Sequence, residues 1–448
     1  MEKVVKFGGS SLASAEQFKK VKAIIEADRS RNFVIPSAPG KRNSSDAKVT
    51  DLLYEYYDLA PLGNESKIIR EKIKNRFQEI IEGLGLDLDL THEYDRIDEK
   101  FKYGCGRDYA ASRGEYLNGI ILAHYLQIPF IDAAEVICFD EDGNFMAERT
   151  NLLLEHALEN VERAVIPGFY GSLPNGTIKT FSRGGSDITG SLVARAVHAT
   201  LYENWTDVSG FLLADPRIVE NPVPIATITY KELHELSCMG ASVLHEDAVF
   251  PVKHAGIPIN IRNTNRPEDP GTMIVDSTDR KPNYKITGIA GKKGFCAVNI
   301  SKSMLEDEHL VDGQVLSFLE EKKIPFECMP SDQDTMSILV HQEEFKEKEK
   351  YVLSSLRSLV KPEAVSLESD LALVAVGVRG RKAKSRIAGR VFTALENANI
   401  PIHALDQEAE EFTTLIGVRN VDFEPAVRAI YDNFIHTDCT CGSAVLSI

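Results

Sequence analysis

The sequence predicts a layered α/β domain followed by two α+β units with a ferredoxin-like order of elements. Residues 1–264 alternate short apolar runs with helical periods, as layered α/β domains do. The next segment, 265–284, holds three prolines and several turn residues, which indicates a domain boundary. Beyond it the order strand, helix, strand, strand, helix, strand occurs and then largely repeats. We therefore expect domains at 1–284, 285–370 and 371–448.

The composition excludes several classes of protein. The chain has 448 residues, with 51 Lys and Arg against 67 Asp and Glu, a formal net charge of −16. This acid excess argues against nucleic-acid binding, because neutralising phosphates requires Lys and Arg clustered on one face. No stretch approaches the roughly 18–20 apolar residues of a membrane span, and the N-terminus lacks a secretory signal. The seven cysteines are scattered. We expect a cytoplasmic protein with no membrane or nucleic-acid partner.

The first domain begins with a strand, a glycine turn and a helix. VVKF (4–7) is a candidate strand that runs into two glycines, and Ser14 with Gln17 forms a capping box that opens a helix. FVIPSAPG (33–40) repeats the strand and the turn, and the polar segment 41–48 predicts a mobile loop. The later patterns are, in order, a helix at 66–82, a strand at 164–171, a hairpin turn at 174–177, a helix at 187–200, a strand and loop at 201–210, and a strand at 257–264.

The C-terminal part predicts two successive units, each with an antiparallel sheet and helices on one face. The first unit has strands at 297–305, 325–329, 334–341 and 364–369 and helices at 312–323 and 343–359. The second has strands at 371–378, 402–406 and 413–418 and helices at 385–398 and 424–434. An internal repeat is supported by the similar sequences that follow the first helix of each unit, EEKKIPFE and ENANIPIH.

The first glycine turn is a candidate phosphate site. Lys6 precedes Gly8, Gly9, Ser10 and Ser11 where a strand gives way to a helix. Glycines let the backbone approach an anion closely, a helix N-terminus favours negative charge, and the lysine adds a full positive charge. The fingerprints of P-loop and Rossmann proteins are absent. The alternative is a tight turn that needs no ligand.

Two further clusters carry charge beside glycine. In 182–187, Arg183 could grip a carboxylate or phosphate with two hydrogen bonds, and Gly184 and Gly185 leave the backbone open. Asp187 either takes part in this site or caps the helix that follows. Glu115, in SRGE, either binds a cationic amine or is an early-helix glutamate favoured by the helix dipole.

Several motifs together resemble those of aspartate kinases. They are VVKFGGSSLAS at the N-terminus, SRGE at 112–115, GFYGSLPNGTIKTFSRGGSD at 168–187, WTDVSGFLLADPR at 205–217, and MGASVLHEDAVFPVKHAGIPINIRNT at 239–264. Their order and spacing are those of the family, and the two C-terminal units resemble its paired ACT domains. The resemblance implies an amino-acid-kinase-like three-layer domain followed by two ACT units. It also implies a monofunctional enzyme without a homoserine dehydrogenase module.

The resemblance implies transfer of the ATP γ-phosphoryl group to the β-carboxylate of L-aspartate, the first step towards lysine, threonine and methionine. Lys6 is expected to stabilise the phosphoryl group and Asp187 to orient Lys6, while Mg²⁺ bridges the nucleotide phosphates. A general base is not needed, because the acceptor carboxylate is already ionised at neutral pH. The binding residues implied are, for nucleotide, Lys6, Gly8, Gly9, Ser10, Gly184, Gly185, Thr206, Asp207 and Arg217, and for aspartate, Ser37, Thr50, Glu115, Arg183 and Ser186.

The chain departs from the family pattern at two nucleotide-side positions. Leu212 stands where some members carry an aromatic residue, and Ser242 stands where many carry a lysine. Lys41 or Lys253 could replace that lysine. The trio at 245–247 could suggest a metal site, but a satisfied surface trio is the other interpretation.

The C-terminal half resembles an amino-acid-sensing module. The resemblance implies a homodimer or dimer of dimers through the ACT units, and feedback inhibition by an amino acid, with lysine favoured over threonine. The residues that match the effector region are Met304, Glu327, Ser331 and Asp332. Another carboxylate kinase of the same fold and a catalytically silent amino-acid sensor are the alternative functions.

Overall fold

The computed structural model describes residues 2–182, 184–240, 244, 246–278, 286–301, 308–331, 334–360, 362–379, 381–406 and 413–439. The chain divides into two compact units. The first unit comprises Met1–Phe211, Pro224–Lys231 and Val243–Asp279, and the second comprises Leu212–Val223, Glu232–Ser242 and Arg280–Ile448. Two short segments that the sequence places inside the first domain therefore belong to the second unit. No helix among the described residues combines the length and the hydropathy that crossing a bilayer requires.

The first unit is a layered α/β structure. Its strands are β1 Lys3–Phe7, β2 Arg31–Pro36, β3 Ala164–Val165, β4 Tyr170–Ser172, β5 Ile178–Thr180, β6 Leu201–Thr206, β7 Thr227–Thr229, β8 Ile259–Asn263 and β9 Thr272–Val275. Its helices are α1 Ala15–Glu26, α2 Val49–Leu59, α3 Asn64–Leu84, α4 Thr91–Lys102, α5 Arg107–Leu126, α6 Ala133–Val136, α7 Ala147–Leu158, α8 Gly185–Ala196 and α10 Glu246–His254. Helix α9, Tyr230–Cys238, begins in the first unit and continues in the second.

Among the described residues, seven strands form one sheet in the order β3-β2-β1-β6-β8-β9-β7. Strands β3, β2, β1, β6 and β8 are parallel, and β9 runs antiparallel to β8. The side chains of Val4, Val5 and Phe7 are completely buried, as expected for a central strand with both faces covered. The carboxyl ends of parallel strands meet at one edge of a sheet, which is where open α/β sheets bind ligands.

Several local patterns of the first unit are confirmed, whereas the single strand predicted at 164–171 is two short strands, β3 and β4, that lie in different sheets. Ser14 caps α1, accepting a 3.4 Å hydrogen bond from the backbone N–H of Gln17, so the predicted capping residue is confirmed. The helix predicted at 66–82 lies within α3, where Ile69, Ile73 and Phe77 are buried and Ile68 is 61% exposed. The Asn-Gly turn joins β4 to β5 as a hairpin. Helix α8 begins at Gly185, slightly before its predicted start.

The second unit is built on a single antiparallel sheet. Its strands are β10 Gly288–Ser301, β11 Thr335–His341, β12 Ala364–Gly377, β13 Ala404–Asp406 and β14 Thr413–Arg419. Its helices are α11 Glu308–Glu321, α12 Gln342–Lys346, α13 Glu349–Leu359, α14 Arg381–Asn397 and α15 Phe423–Cys439. The described strands lie in the order β11-β10-β12-β14-β13.

The expectation of two separate sheets was wrong. Strands β10 and β12 are both long, and they pair with each other from Gly288 with Gly377 to Ser301 with Ala364, so the two predicted units share one sheet. The two strands predicted at 364–369 and 371–378 are one strand, which Asp370 interrupts only locally with a φ of 62°. The segment 325–329 is not a strand; it contributes an isolated bridge from Cys328 to Leu339.

The part of helix α9 that belongs to the second unit, from Glu232 onwards, makes specific contacts there. Glu232, whose side chain is 1% exposed, pairs with Arg379 through Nε and Oε1 at 2.7 Å. Thr413 Oγ1 donates to Glu235 Oε2 at 2.5 Å. A charge as deeply buried as Glu232 is stable only when it is paired, so this ion pair ties α9 to the turn after β12. The predicted domain limits at 284 and 370 stay predictions.

Candidate active site

Lys6 lies at the centre of the candidate site. Its side chain points from β1 towards α8, where Nζ lies 2.6 Å from Asp187 Oδ1. Both side chains are largely buried, with 10% of Lys6 and 16% of Asp187 exposed. A Cβ atom added to Gly8 would lie 3.7 Å from Lys6 Nζ, so the ammonium group sits beside the glycine turn. The structure therefore brings together the lysine, the carboxylate and the first glycine turn.

Asp187 does not cap its helix. The N-cap position of α8 is Gly184, and no side chain caps the helix there. The carboxylate of Asp187, in the first helical turn, instead contacts Lys6 and accepts a 2.8 Å hydrogen bond from Asn204 Nδ2. The capping interpretation is therefore wrong for this residue.

Sequence reasoning missed Asn204. It lies on β6 directly opposite Lys6 in the parallel register, and its side chain contacts both Lys6 and Asp187. The sequence signal for Asn204 is a polar amide in a strand whose neighbouring residues are also buried. Such a residue requires hydrogen-bond partners when it is buried.

The first glycine turn is closely packed. The N–H of Gly8 donates to the carbonyl of Trp205 at 3.0 Å, and the carbonyl of Gly9 accepts from Gly40 N at 2.8 Å. A Cβ on Gly9 would lie 2.9 Å from the Ala38 carbonyl oxygen, and a Cβ on Gly40 would lie 2.6 Å from Gly9 C. Only glycine fits both positions. The turn leads into a short 3-10 helix at Gly9–Leu12, which contains Ser10, and α1 begins after it.

The second glycine turn is packed against Gly168 and Phe169. A Cβ on Gly168 would lie 2.6 Å from Ser186 Oγ, and a Cβ on Gly185 would lie 2.5 Å from Phe169 Cδ2. Phe169 itself has a φ of 83°, a conformation that a bulky residue rarely adopts. The start of α8 is therefore held at a defined distance from the segment before β4. Ser186 is buried, with 8% exposure.

Glu115 lies in the middle of α5, which excludes the interpretation as an early-helix glutamate. Burial raises the pKa of its carboxyl from 4.5 to about 8, against the opposing effects of the backbone N–H of Ala38 and the positive charge of Arg113. Its Oε2 has no hydrogen-bond partner among the described residues. A buried carboxyl with a vacant oxygen is suited to receiving a cationic group.

Arg113 was also missed as a part of the site. It is 4% exposed, and its guanidinium carbon lies 4.3–4.5 Å from the ring centroids of Tyr109 and Tyr116 and 5.3 Å from that of Tyr170. Aromatic faces stabilise a buried cation. Arg113 thereby keeps a positive charge near Glu115 without an ion pair of its own in the described structure.

The segment after β2 is anchored at Ser37 by two hydrogen bonds. The N–H of Ser37 donates to the carbonyl of Phe7 at 3.0 Å, and Asn118 Nδ2 donates to the carbonyl of Ser37 at 2.7 Å. Thr50 is the second residue of α2, and it is partly exposed. Of these two predicted aspartate contacts, Ser37 therefore begins the connection between β2 and α2, and Thr50 lies in the first turn of α2.

Ion pairs at Arg42 and Asp46 hold part of the segment 41–48, which is predicted as a mobile loop, and a hydrogen bond holds Gly40 just before it. Arg76 on α3 is 4% exposed; its Nη1 lies 2.5 Å from Asp46 Oδ2, and its Nη2 donates to the carbonyl of Gly40 at 2.6 Å. Arg42 also contacts Asp46, with Nε at 2.9 Å from Oδ2. Because Gly40 is bonded to Gly9, Arg76 indirectly supports the glycine turn.

The three predicted nucleotide residues outside the glycine turns, Thr206, Asp207 and Arg217, belong to different units. Thr206 ends β6 and donates from Oγ1 to Asp207 Oδ1 at 3.1 Å, and Asn263 Nδ2 donates to the carbonyl of Asp207 at 3.2 Å. These residues follow the strand that carries Asn204. Arg217 belongs to the second unit, where it pairs with Asp215 at 2.5 Å.

Several candidate residues fall outside the described structure. They are Arg183, Ser242, His245, Met304 and Asp332. Within the second unit, Ser331 Oγ donates to Asp312 Oδ2 at 3.1 Å, and Glu327 is exposed while its backbone N–H donates to Leu339 at 2.8 Å.

No metal site is built from protein ligands alone in the described part of the chain, where no three His, Cys, Asp or Glu side chains are grouped to hold an ion. Magnesium bound to nucleotide phosphates needs few protein ligands, because water and phosphate oxygens fill its octahedral coordination. The donor set is therefore compatible with magnesium that arrives with a nucleotide.

Residues 1–263 match the amino acid kinase family, and residues 373–434 match an ACT domain. The chain is 34% identical to aspartokinase 3 of Bacillus subtilis, over 96% of this chain and 98% of that protein. It is 48% identical to the crystal structure of Clostridium acetobutylicum aspartate kinase, with a TM-score of 0.88, over 96% and 99% of the two chains.

The fold is also that of aspartokinase III of E. coli, which is 22% identical to this chain. Its R-state complex with aspartate and ADP gives a TM-score of 0.74, and its T-state complex with lysine and aspartate gives 0.72. Each comparison covers 97% of this chain and 99% of the other.

Proposed function

The chain belongs to the aspartokinases of the amino acid kinase family, and from this we propose that it transfers the ATP γ-phosphoryl group to the β-carboxylate of L-aspartate. The product is 4-phospho-L-aspartate. The observation that carries the proposal is the contact of Lys6 with Asp187 beside the first glycine turn. Phosphoryl transfer between two anions depends mainly on positioning and on positive charge aimed at the transferring group.

Lys6 supplies that positive charge. Its ammonium group stabilises the charge on the phosphoryl oxygens, and Asp187 orients it. The β-carboxylate of aspartate attacks the γ-phosphorus, the bond from that phosphorus to the bridging oxygen breaks, and ADP leaves. No protein base takes part, because the attacking carboxylate is already ionised at neutral pH.

Glu115 receives the ammonium group of aspartate. Its burial, its raised pKa and its vacant oxygen support this role. Burial disfavours the ionised form of the carboxyl, and a bound ammonium group would stabilise that form. Arg183 pairs with the α-carboxylate, and Ser37, Thr50 and Ser186 complete the aspartate contacts.

The nucleotide lies against the two glycine turns. Backbone groups of Gly8, Gly9, Ser10, Gly184 and Gly185 bind the phosphates, and Thr206, Asp207 and Arg217 contact the rest of the nucleotide. Magnesium, when bound, neutralises phosphate charge and is held mainly by phosphate oxygens and water.

The reaction starts the pathway to lysine, threonine and methionine in the cytoplasm, and lysine inhibits it through the second unit. The lysine complex of the E. coli enzyme supports this choice of effector, as do the carboxylates of Glu327 and Asp332, which suit a cationic ligand. Met304 and Ser331 complete the effector site. Two ACT units, 285–370 and 371–448, follow a catalytic domain at 1–284 and form the contacts of a homodimer or dimer of dimers.

The test is an assay of ADP release with ATP, Mg²⁺ and L-aspartate, in which hydroxylamine traps the acyl phosphate, run with and without L-lysine. We expect turnover that lysine inhibits. Turnover without inhibition by lysine would support the kinase activity and show that the effector is another amino acid. Turnover with glutamate or acetylglutamate but not aspartate would identify a different carboxylate kinase, and no turnover with any acceptor would favour an amino-acid sensor.

A further inference from the structure

We infer that Asn204 is a positioning residue of the phosphoryl-transfer site, which aims the ammonium group of Lys6 by bonding to both Lys6 and Asp187. The inference rests on the proposed function. It starts from a closed set of three contacts: Lys6 Nζ to Asp187 Oδ1 at 2.6 Å, Asn204 Nδ2 to the same Oδ1 at 2.8 Å, and Lys6 Nζ to Asn204 Oδ1 at 3.4 Å.

The position of Asn204 follows from the sheet. Strands β1 and β6 are parallel neighbours, and their register places Asn204 beside Lys6 on the same face. Asn204 is only 3% exposed, so its amide exchanges few hydrogen bonds with water. The two partners also set the orientation of the amide, because only Nδ2 can donate to a carboxylate and only Oδ1 can accept from an ammonium group.

This arrangement limits how the ammonium group can rotate. An ammonium group carries three N–H donors. One is directed at Asp187 and a second at Asn204, so the direction of the third is set by tetrahedral geometry. With Asp187 alone, the ammonium group could rotate about its Cε–Nζ bond. Asn204 therefore reduces the reorganisation needed when Lys6 stabilises the transferring phosphoryl group.

An amide suits this position better than its closest replacements. A leucine has a similar size but neither donates nor accepts hydrogen bonds. It would leave the contact between Lys6 and Asp187 intact, but it would no longer fix the orientation of the ammonium group. An aspartate is isosteric with asparagine but places a second carboxylate beside Asp187. Two adjacent carboxylates do not ionise together easily, so the pair would retain a proton to a higher pH than a single carboxylate.

The first test compares Asn204→Leu with Asn260→Leu. Asn260 is a buried asparagine on the adjacent strand β8, paired in register with Glu203 and therefore on the other face of the sheet. We expect Asn204→Leu to lower kcat by about tenfold to a hundredfold, while KM for aspartate and calorimetric affinity for ADP change less than about threefold. The control should keep kcat within about twofold of the wild-type value.

The second test uses Asn204→Asp, which keeps the size of the side chain. The charged groups that face position 204 in the described structure are Lys6 from β1 and Asp187 from α8. While the pair of carboxylates holds a proton, it can donate and accept as the amide does. We therefore expect the kcat of Asn204→Asp relative to wild type to fall as the pH rises from about 6 to about 9. The relative kcat of Asn204→Leu should not fall over this range. A residue that only supports the fold would not change the pH profile in this way.

Two results would overturn the inference while leaving the proposed function in place. One is a wild-type enzyme that phosphorylates aspartate together with Asn204 variants whose kcat is unchanged. The other is an equal loss of kcat in Asn204→Leu and Asn260→Leu, with a flat relative pH profile for Asn204→Asp. A wild-type enzyme inactive with aspartate would instead overturn the proposed function, and the inference with it. If Asn204→Leu does not fold, the pH profile of Asn204→Asp decides.

Discussion

Lys6 Nζ and Asp187 Oδ1 lie 2.6 Å apart, although the two residues come from the first strand of the chain and from a helix that begins far beyond it. Their partial burial strengthens the attraction and lowers its sensitivity to salt. The contact joins the two glycine turns at one point, which makes Lys6 the residue on which the proposed chemistry depends most.

Replacing Lys6 with alanine should lower kcat by at least about a hundredfold, the scale of losing one transition-state charge contact. The measurement is steady-state ADP release with saturating aspartate and ATP. Lys3→Ala is the matched control on the same strand, because Lys3 pairs with Asp28 at 2.7 Å and lies outside the candidate site. A near-normal kcat for Lys6→Ala would refute the assignment.

The raised pKa of Glu115 predicts a pH-dependent stability. The folded-state pKa of about 8 exceeds the ordinary 4.5, so the folded protein holds a proton that the unfolded chain loses between these values. The contribution of Glu115 to stability is therefore greatest below the ordinary pKa and declines as the pH rises through the folded-state pKa. The Tm of Glu115→Gln minus that of the wild type should increase over this range. A constant difference would contradict the prediction.

Binding of aspartate should release a proton. Near neutral pH the carboxyl of Glu115 is mostly protonated, because its pKa of about 8 lies above the solution pH, and the ammonium group of aspartate favours the ionised form. Calorimetric titrations in buffers of different ionisation enthalpy measure the number of protons released. We expect release by the wild type and none by Glu115→Gln, whose weakened binding requires higher concentrations. Equal proton release by both proteins would assign the proton to another group.

Replacing Arg76 with methionine should loosen the connection that carries Ser37. The variant removes a buried ion pair to Asp46 and the bond to the Gly40 carbonyl, so we expect Tm to fall by about 5–10 °C. KM for aspartate should rise by about threefold to tenfold as positioning is lost. Arg42→Met is the control, because Arg42 contacts Asp46 from a more exposed position and should have a smaller effect. Equal effects of both variants would show that Arg76 has no special role.

Replacing Glu327 with alanine should weaken inhibition by lysine and leave kcat unchanged in its absence. The reason is the loss of one charge-assisted contact to a cationic effector, worth about tenfold in the inhibitory concentration. The measurement is the lysine concentration that halves the rate. Glu347→Ala, an exposed glutamate of the same unit, is the control. Unchanged inhibition of Glu327→Ala would move the effector site elsewhere.

Local sequence signals predicted local structure. Each of these features depends on residues that are close together in the sequence. They are the capping box at Ser14, helix α3, the hairpin at Gly176 and the strands β1 and β6. The functional motifs also named Lys6 correctly as the residue beside the first glycine turn. These features could be predicted because their causes lie within a short stretch of chain.

The sequence alone determined the family-like motifs, most of the order of the elements and the candidate residues at the two glycine turns. Only the tertiary structure decided that Asn204 joins Lys6 and Asp187, that Glu115 is buried enough for its pKa to rise, and that β10 and β12 merge two predicted units into one sheet. Strand register and burial depend on contacts between distant segments, and sequence periodicity carries no information about which distant segments meet.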